Sequence, residues 1–173
     1  MVNIAVVYKS RYGTAKQYAE WIAKALDAIL LEASAVKPSQ LASFDIVVYG
    51  GGLYAGGIDG VGLVTKNPCK ALVVFTVGLA DPNTTDYSDI QDKNFTQELR
   101  SKVKVFHLRG GIDYKKLGFV HKGMMSIMRK SILKKDEQEI TAEDNEFLET
   151  YDSTVNYIDK NSIEPILAYV RSL

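Results

Sequence analysis

The sequence predicts a three-layer α/β fold, a five-stranded parallel sheet with helices on both faces. Three observations predict it. Short apolar runs recur without the in–out alternation of a half-exposed sheet, as strands buried on both faces require. Stretches of helical length separate them, and strand alternating with helix gives a covered parallel sheet. Glycine and hydroxyl residues collect where the runs end, which in an open α/β sheet is the ligand-binding edge.

The first run, Ile4–Tyr8, passes into Ser10-Arg11-Tyr12-Gly13-Thr14. A helical pattern opens at once, with Tyr18, Ile22, Ala25 or Leu26, and Ile29 about one turn apart. A weaker run, Leu31–Val36, comes next. Ile46–Tyr49 is the third and leads into a loop from Gly50 to Gly57 that holds 5 of the 13 glycines. Ala71–Val77 is the fourth and ends in Thr76-Val77-Gly78-Leu79. Val103–Leu108 is the fifth, followed by Arg109-Gly110-Gly111-Ile112-Asp113-Tyr114. With the first helix leading to an edge strand, the five fit the doubly wound order 2-1-3-4-5.

Between the fourth and fifth runs, Asp81–Gln97 is polar and reads as a surface loop leading to a short helix near Phe95–Arg100. After the fifth run the charge pattern changes. Lys115–Lys135 carries seven basic residues and no acid; Asp136–Glu149 carries seven acids and no base. Met124, Met125, Ile127, Met128, Ile132 and Leu133 give the basic stretch an apolar stripe. Two readings follow: a basic amphipathic helix around Met124–Lys135 suited to an anionic membrane surface, or the helix that covers the sheet after its fifth strand. Thr141 and Asp144 have capping-box spacing, and Phe147, Leu148, Tyr151, Val155 and Ile158 read as the buried face of one helix. Pro165 marks a break or a new first turn before Ile166–Val170.

Length suits a single domain spanning 1–173. Charge cancels, 21 basic against 21 acidic residues, which argues against a nucleic-acid partner. The lone Cys69 points to a reducing compartment, and no leader or membrane span is visible, so a cytoplasmic protein is expected.

Ser10, Gly13 and Thr14 offer hydroxyls and a permissive turn ahead of a helix N-terminus, where phosphate binds well; a plain N-cap is the rival reading. In Gly50–Gly57 a flat cofactor could lie on bare backbone and Tyr54; a flexible loop is the rival. The glycine pattern of a dinucleotide fold and a Walker lysine loop are both missing. His107 and His121 have no partners at metal-ligand spacing, and no catalytic dyad or triad can be argued.

In order and together, Ser10-Arg11-Tyr12-Gly13-Thr14-Ala15 and the Gly50–Gly57 loop resemble the phosphate and isoalloxazine loops of the flavodoxin family. The departure is Ala15, where that family usually has threonine. The resemblance implies a flavodoxin-like fold and FMN as cofactor. It implies that Ser10, Arg11, Gly13 and Thr14, with amides from Tyr12 to Ala15, hold the phosphate. Gly51, Gly52, Leu53 and Tyr54, with Thr76, Val77, Gly78 and Leu79, would flank the ring, and Gly111–Tyr114 would cover an edge. Arg109–Tyr114 followed by the Met-rich basic stretch is similar to the group containing the menaquinone-dependent protoporphyrinogen oxidases, which implies an oxidoreductase with a quinone acceptor. A pure electron carrier serving a redox partner, or a flavin-free interaction module, are the alternatives.

Overall fold

The computed structural model describes residues 1–173. Five parallel strands make the main sheet: β1 (Ile4–Lys9), β2 (Ile29–Glu32), β3 (Ile46–Tyr54), β5 (Leu72–Gly78) and β6 (Lys104–Arg109). Their order is β2-β1-β3-β5-β6, the doubly wound order expected once the antiparallel β4 (Gly57–Ile58), paired only to β3, is set aside.

The layers follow from strand alternation. Val6, Val48, Val73 and Phe75 point to one face, where Tyr18, Ala19 and Ile22 of α1 (Thr14–Leu26) and Ile166, Leu167 and Val170 of α7 (Glu164–Ser172) meet them. Ala5, Val7, Val47, Tyr49 and Val74 point to the other. Short segments cover that face: a 3-10 turn at Pro38–Ser43, α2 (Gly62–Thr65), α3 (Ser88–Asn94) and α4 (Gln97–Arg100). Each fully buried Val, Ile or Phe contributes about 1.5–3 kcal/mol.

Five features depart from the sequence expectations: the Asp81–Gln97 stretch, expected as a surface loop, holds the helix α3, which packs on the sheet through Ile90, and four more follow. First, β2 ends at Glu32, and Ala33–Ala35 form a 3-10 turn rather than more strand. Second, the Gly50–Gly57 stretch is no loose loop, because β3 runs on through Gly50, Gly51 and Gly52 to Tyr54. It folds back at Ala55 (φ 49°) and Gly56 (φ 76°), two left-handed residues that give a tight hairpin its twist. A side chain at Gly50 would overlap the buried Phe75 ring, so this strand position accepts glycine alone.

Third, the helix that covers the sheet after β6 is α7, not the basic segment. The basic segment forms α5 (Phe119–Leu133), of which only Ile132 is buried. It belongs to an insertion between β6 and α7 that also holds β7 (Gly111–Asp113), α6 (Ala142–Thr150) and β8 (Thr154–Asn156). Fourth, the helix expected from Thr141 to Ile158 stops at Thr150, and Val155 lies in β8, which pairs antiparallel with β7. The Thr141–Asp144 capping box is present as read. The buried Tyr18 hydroxyl anchors the insertion at both ends, donating to the Arg109 carbonyl at 2.6 Å and accepting from the Asp159 amide at 3.1 Å.

Candidate functional site

Register brings the expected loops together at one edge of the sheet. Lys9 pairs with Gly51, Gly52 with Val77, and Gly78 with Arg109, so the carboxyl ends of β1, β3, β5 and β6 stand side by side. The Gly110 amide donates to the Gly78 carbonyl at 2.7 Å, and a Cβ at Gly110 would sit 3.0 Å from the Thr14 methyl.

The first loop turns at Gly13, whose φ of 91° suits glycine. Its amide donates to Ser10 Oγ at 3.0 Å. The Ser10 oxygen is thus an acceptor inside the turn, leaving its own O–H to donate elsewhere. No side chain caps α1, and its first turn contains no acid. The first-turn amides and the positive end of this 13-residue helix therefore face the edge uncompensated. Thr14 is half-buried beside Gly110, and Ala15 is buried in the core beneath. These residues fit a phosphate.

Arg11 does not point into this turn. Its Nε donates to Asp59 Oδ2 at 2.8 Å and its Nη2 to Oδ1 at 3.3 Å, while Lys9 Nζ lies 3.6 Å from the same carboxylate. Burial pushes Asp59 up, but the Arg11 hydrogen bond and charge, with Lys9, outweigh it and hold the carboxyl below its usual range. The Tyr49 hydroxyl donates to the Asp59 carbonyl at 2.6 Å, fixing the hairpin that carries it.

At the glycine strand, the Tyr54 ring folds over Gly52, where a Cβ would lie 2.9 Å from it. His121 of α5 stacks on that ring, with centroids 4.9 Å apart and planes within 6°, and the Arg11 guanidinium lies 4.9 Å from its centroid. Burial, then the Asp59 charge, pushes the Tyr54 hydroxyl up to about 12, so it stays protonated. The Tyr12 hydroxyl contacts His121 Nδ1 and accepts from the Gly118 amide at 3.2 Å. The start of α5 is thereby fastened across both cofactor-type loops. Sequence reasoning missed Asp59 and His121. The Asp59-Gly60 turn behind a glycine hairpin was the available signal for the first. The second had none, since its partners are remote in the chain.

Other expected ring contacts are occupied differently. Thr76 is buried, and its hydroxyl is 2.6 Å from His107 Nδ1, its neighbour across the β5–β6 register. Val77 lies in the core; Gly78 and the partly exposed Leu53 pack together. The Leu79 carbonyl accepts two bonds from Arg109, at 3.0 and 2.7 Å. Gly111 is paired within β7, where a Cβ would lie 2.9 Å from the Val155 carbonyl. Tyr114 is buried against Tyr151, inside the insertion and not over a ligand edge. The Gly13 turn ahead of an uncapped helix is present, and Arg11, Thr76, Gly111 and Tyr114 have partners within the chain.

A doubly wound sheet with an uncapped helix N-terminus at its carboxyl edge is the arrangement in which α/β domains commonly bind nucleotide-type ligands. A family model described as Flavodoxin domain matches residues 5–140. The chain belongs to the flavodoxin-domain family. Among solved structures it is similar to a flavodoxin, WrbA-like protein from Agrobacterium tumefaciens, with 23% identity, 58% of this chain and 71% of that chain covered, and a TM-score of 0.43. It is similar to oxidised Flavodoxin 2 from Bacillus cereus, with 16% identity, 62% and 84% covered, and a TM-score of 0.45. A flavoprotein in complex with FMN from Lactobacillus acidophilus NCFM matches at 13% identity, 63% and 93% covered, with a TM-score of 0.41. No curated protein matches the chain in sequence. No helix is long and apolar enough to cross a membrane, and no group of three or more His, Cys, Asp or Glu could hold a metal ion.

Proposed function

We propose that this chain is an FMN-binding redox domain. The observation that carries the reading is the uncapped, acid-free N-terminus of α1, set at the carboxyl edge of the sheet beside the glycine end of β3, where the Tyr54 ring lies over Gly52. The Ser10 and Thr14 hydroxyls and the amides of Tyr12, Thr14 and Ala15 hold the phosphate, the Gly13 amide being taken by Ser10 Oγ. Arg11 acts at one remove, fixing Asp59 and lying near the Tyr54 ring. Gly51, Gly52 and Tyr54 wall the ring, and His121, stacked on Tyr54, holds that ring back over Gly52 until FMN enters. FMN supplies the one- and two-electron chemistry when bound; the protein binds it, orients it and limits water around it.

Titration of FMN into the apoprotein, followed by absorbance and fluorescence quenching, tests the site. Ser10→Ala with Thr14→Ala removes two donors to a dianion and weakens binding by at least ~tenfold. Unchanged affinity rejects it, and a protein that takes up no FMN at all supports a flavin-free interaction module instead.

Within the family, an enzyme resembling the menaquinone-dependent protoporphyrinogen oxidases is favoured over a plain electron carrier. The balanced charge of 21 basic and 21 acidic residues and the basic α5 support that placement. Oxidation of protoporphyrinogen with a menaquinone analogue as acceptor is the expected activity; its absence, with FMN bound, leaves the carrier.

A further inference from the structure

The end of β5 borders both walls of the carboxyl edge. Leu53, from the glycine end of β3, packs on Gly78, and Gly110 lies between the Gly78 carbonyl and the Thr14 methyl. The chain leaves β5 through Leu79 and Ala80, both half-buried. Neither of their amides donates to a backbone carbonyl of the chain. Every backbone N–H is an obligatory donor, so these two are free to bond a ligand at this edge.

Arg109, the last residue of β6, fixes this exit. Its Nε and Nη2 both donate to the Leu79 carbonyl, at 3.0 and 2.7 Å. In a trans peptide the N–H points opposite to the C=O, so the Ala80 amide is held facing away from Arg109. Nη2 also donates to Glu146 Oε1 of α6 at 2.6 Å, and the guanidinium carbon lies 3.7 Å from the Tyr157 ring centroid. The Tyr157 amide in turn donates to the Gly110 carbonyl at 3.0 Å. The Arg109 side chain is 21% exposed, and a charge so far out of solvent is felt over a longer range. Glu146 is its ion-pair partner; Asp81 and Glu143 lie in the same neighbourhood, around Tyr87, without bonding to it.

We propose that Arg109 is a positioning residue for FMN whose charge, balanced by Glu146, sets the reduction potential of the bound ring. Arg109 aims the Ala80 amide, and its guanidinium stands behind the Leu79 carbonyl. Reduction of the ring by two electrons and one proton adds one negative charge to it, so a nearby cation favours the reduced form. Glu146 offsets that field. Through this one carboxylate, the insertion between β6 and α7 acts on the cofactor edge. The role rests on the FMN reading.

Potentiometric titration of the FMN-loaded full chain, with dithionite as the reductant, tests it. The potential reads the ratio of reduced to oxidised FMN affinity. Arg109→Gln removes the cation and leaves Glu146 unopposed; the ratio falls ~tenfold, a two-electron potential about 30 mV more negative. Glu146→Gln leaves the guanidinium unopposed and raises the ratio ~threefold or more. Arg109→Lys keeps the charge and stays within ~threefold of the parent. Opposite signs are the signature, because a β5 exit that was merely loosened would move both glutamine variants the same way. Glu146 is 36% exposed, so its variant folds whatever Arg109→Gln does, and far-UV circular dichroism checks both. Shifts of one sign, or shifts below ~twofold in both with FMN bound, overturn the role and leave the FMN reading standing. A parent chain that takes up no FMN overturns both, and its absorbance shows which case holds.

Discussion

Thr14→Asp separates a helix that merely begins at this edge from one that holds a dianion there. Thr14 is the first residue of α1, follows a glycine with no capping group, and opens a turn with no acid in it. An aspartate at this position is close to threonine in size and interacts favourably with the helix dipole, raising the stability of the apoprotein by about 0.3–1 kcal/mol. The same carboxylate opposes a phosphate of nearly two negative charges. Unit charges a few ångströms apart interact by about 1 kcal/mol in water and more in a shielded loop, so the repulsion amounts to ~2 kcal/mol, a weakening of FMN binding of about thirtyfold. Urea unfolding of the apoprotein and an FMN titration measure the two effects on one sample. Increased stability with weakened binding is the expected pair. Increased stability with unchanged FMN affinity would refute the assignment of the phosphate to α1.

Two further outcomes follow from the site's other contacts. His121→Ala releases the Tyr54 ring from its stack and the Tyr12 hydroxyl from its contact, interactions worth about 0.5–1.5 kcal/mol each. FMN then meets a freer Tyr54 and binds ~threefold or more tighter in the same titration; weaker or unchanged binding rules out Tyr54 as a wall held back by His121. The second concerns His107, which is stacked 3.5 Å from Tyr87 and has a buried Nε2 with no hydrogen-bond partner. Burial lowers its pKa to about 4, below the ~6.5 of an unfolded histidine. The unfolded chain therefore takes up the proton first, so this contribution to stability is complete above about pH 6.5 and is lost as pH falls toward 4. Allowing for partial solvent screening, the loss is ~1.5 kcal/mol. Urea midpoints at ~pH 7 and ~pH 5 measure it, and a His107→Asn variant has a flatter dependence over that range; equal slopes would contradict the neutral, buried imidazole.

The sheet could be read from the chain because its signals are local. Val6, Val48, Val73 and their neighbours form short apolar runs, and the order of five such runs with helices between them leaves few topologies. The insertion could not be placed that way. The apolar spacing of Val120, Met124, Ile127 and Met128 is the same whether a helix packs on a sheet or faces away from it. Burial is settled only by what lies opposite, here α7 rather than α5. Ile166, Leu167 and Val170, spaced i, i+1 and i+4 behind Pro165, were the competing signal for the covering helix. At the site, the turn at Gly13 and the uncapped α1 were visible because they depend on adjacent residues. The partners of Arg11, Thr76 and Tyr114 were not, because Asp59, His107 and Tyr151 reach them through tertiary packing.

Comparing FMN with riboflavin tests the central claim most directly, since the two ligands differ only by the phosphate. Isothermal titration of the apoprotein is expected to give FMN a Kd at least ~100-fold below that of riboflavin, the worth of two or more charge-assisted hydrogen bonds at the α1 N-terminus. Equal affinities for the two ligands would contradict it.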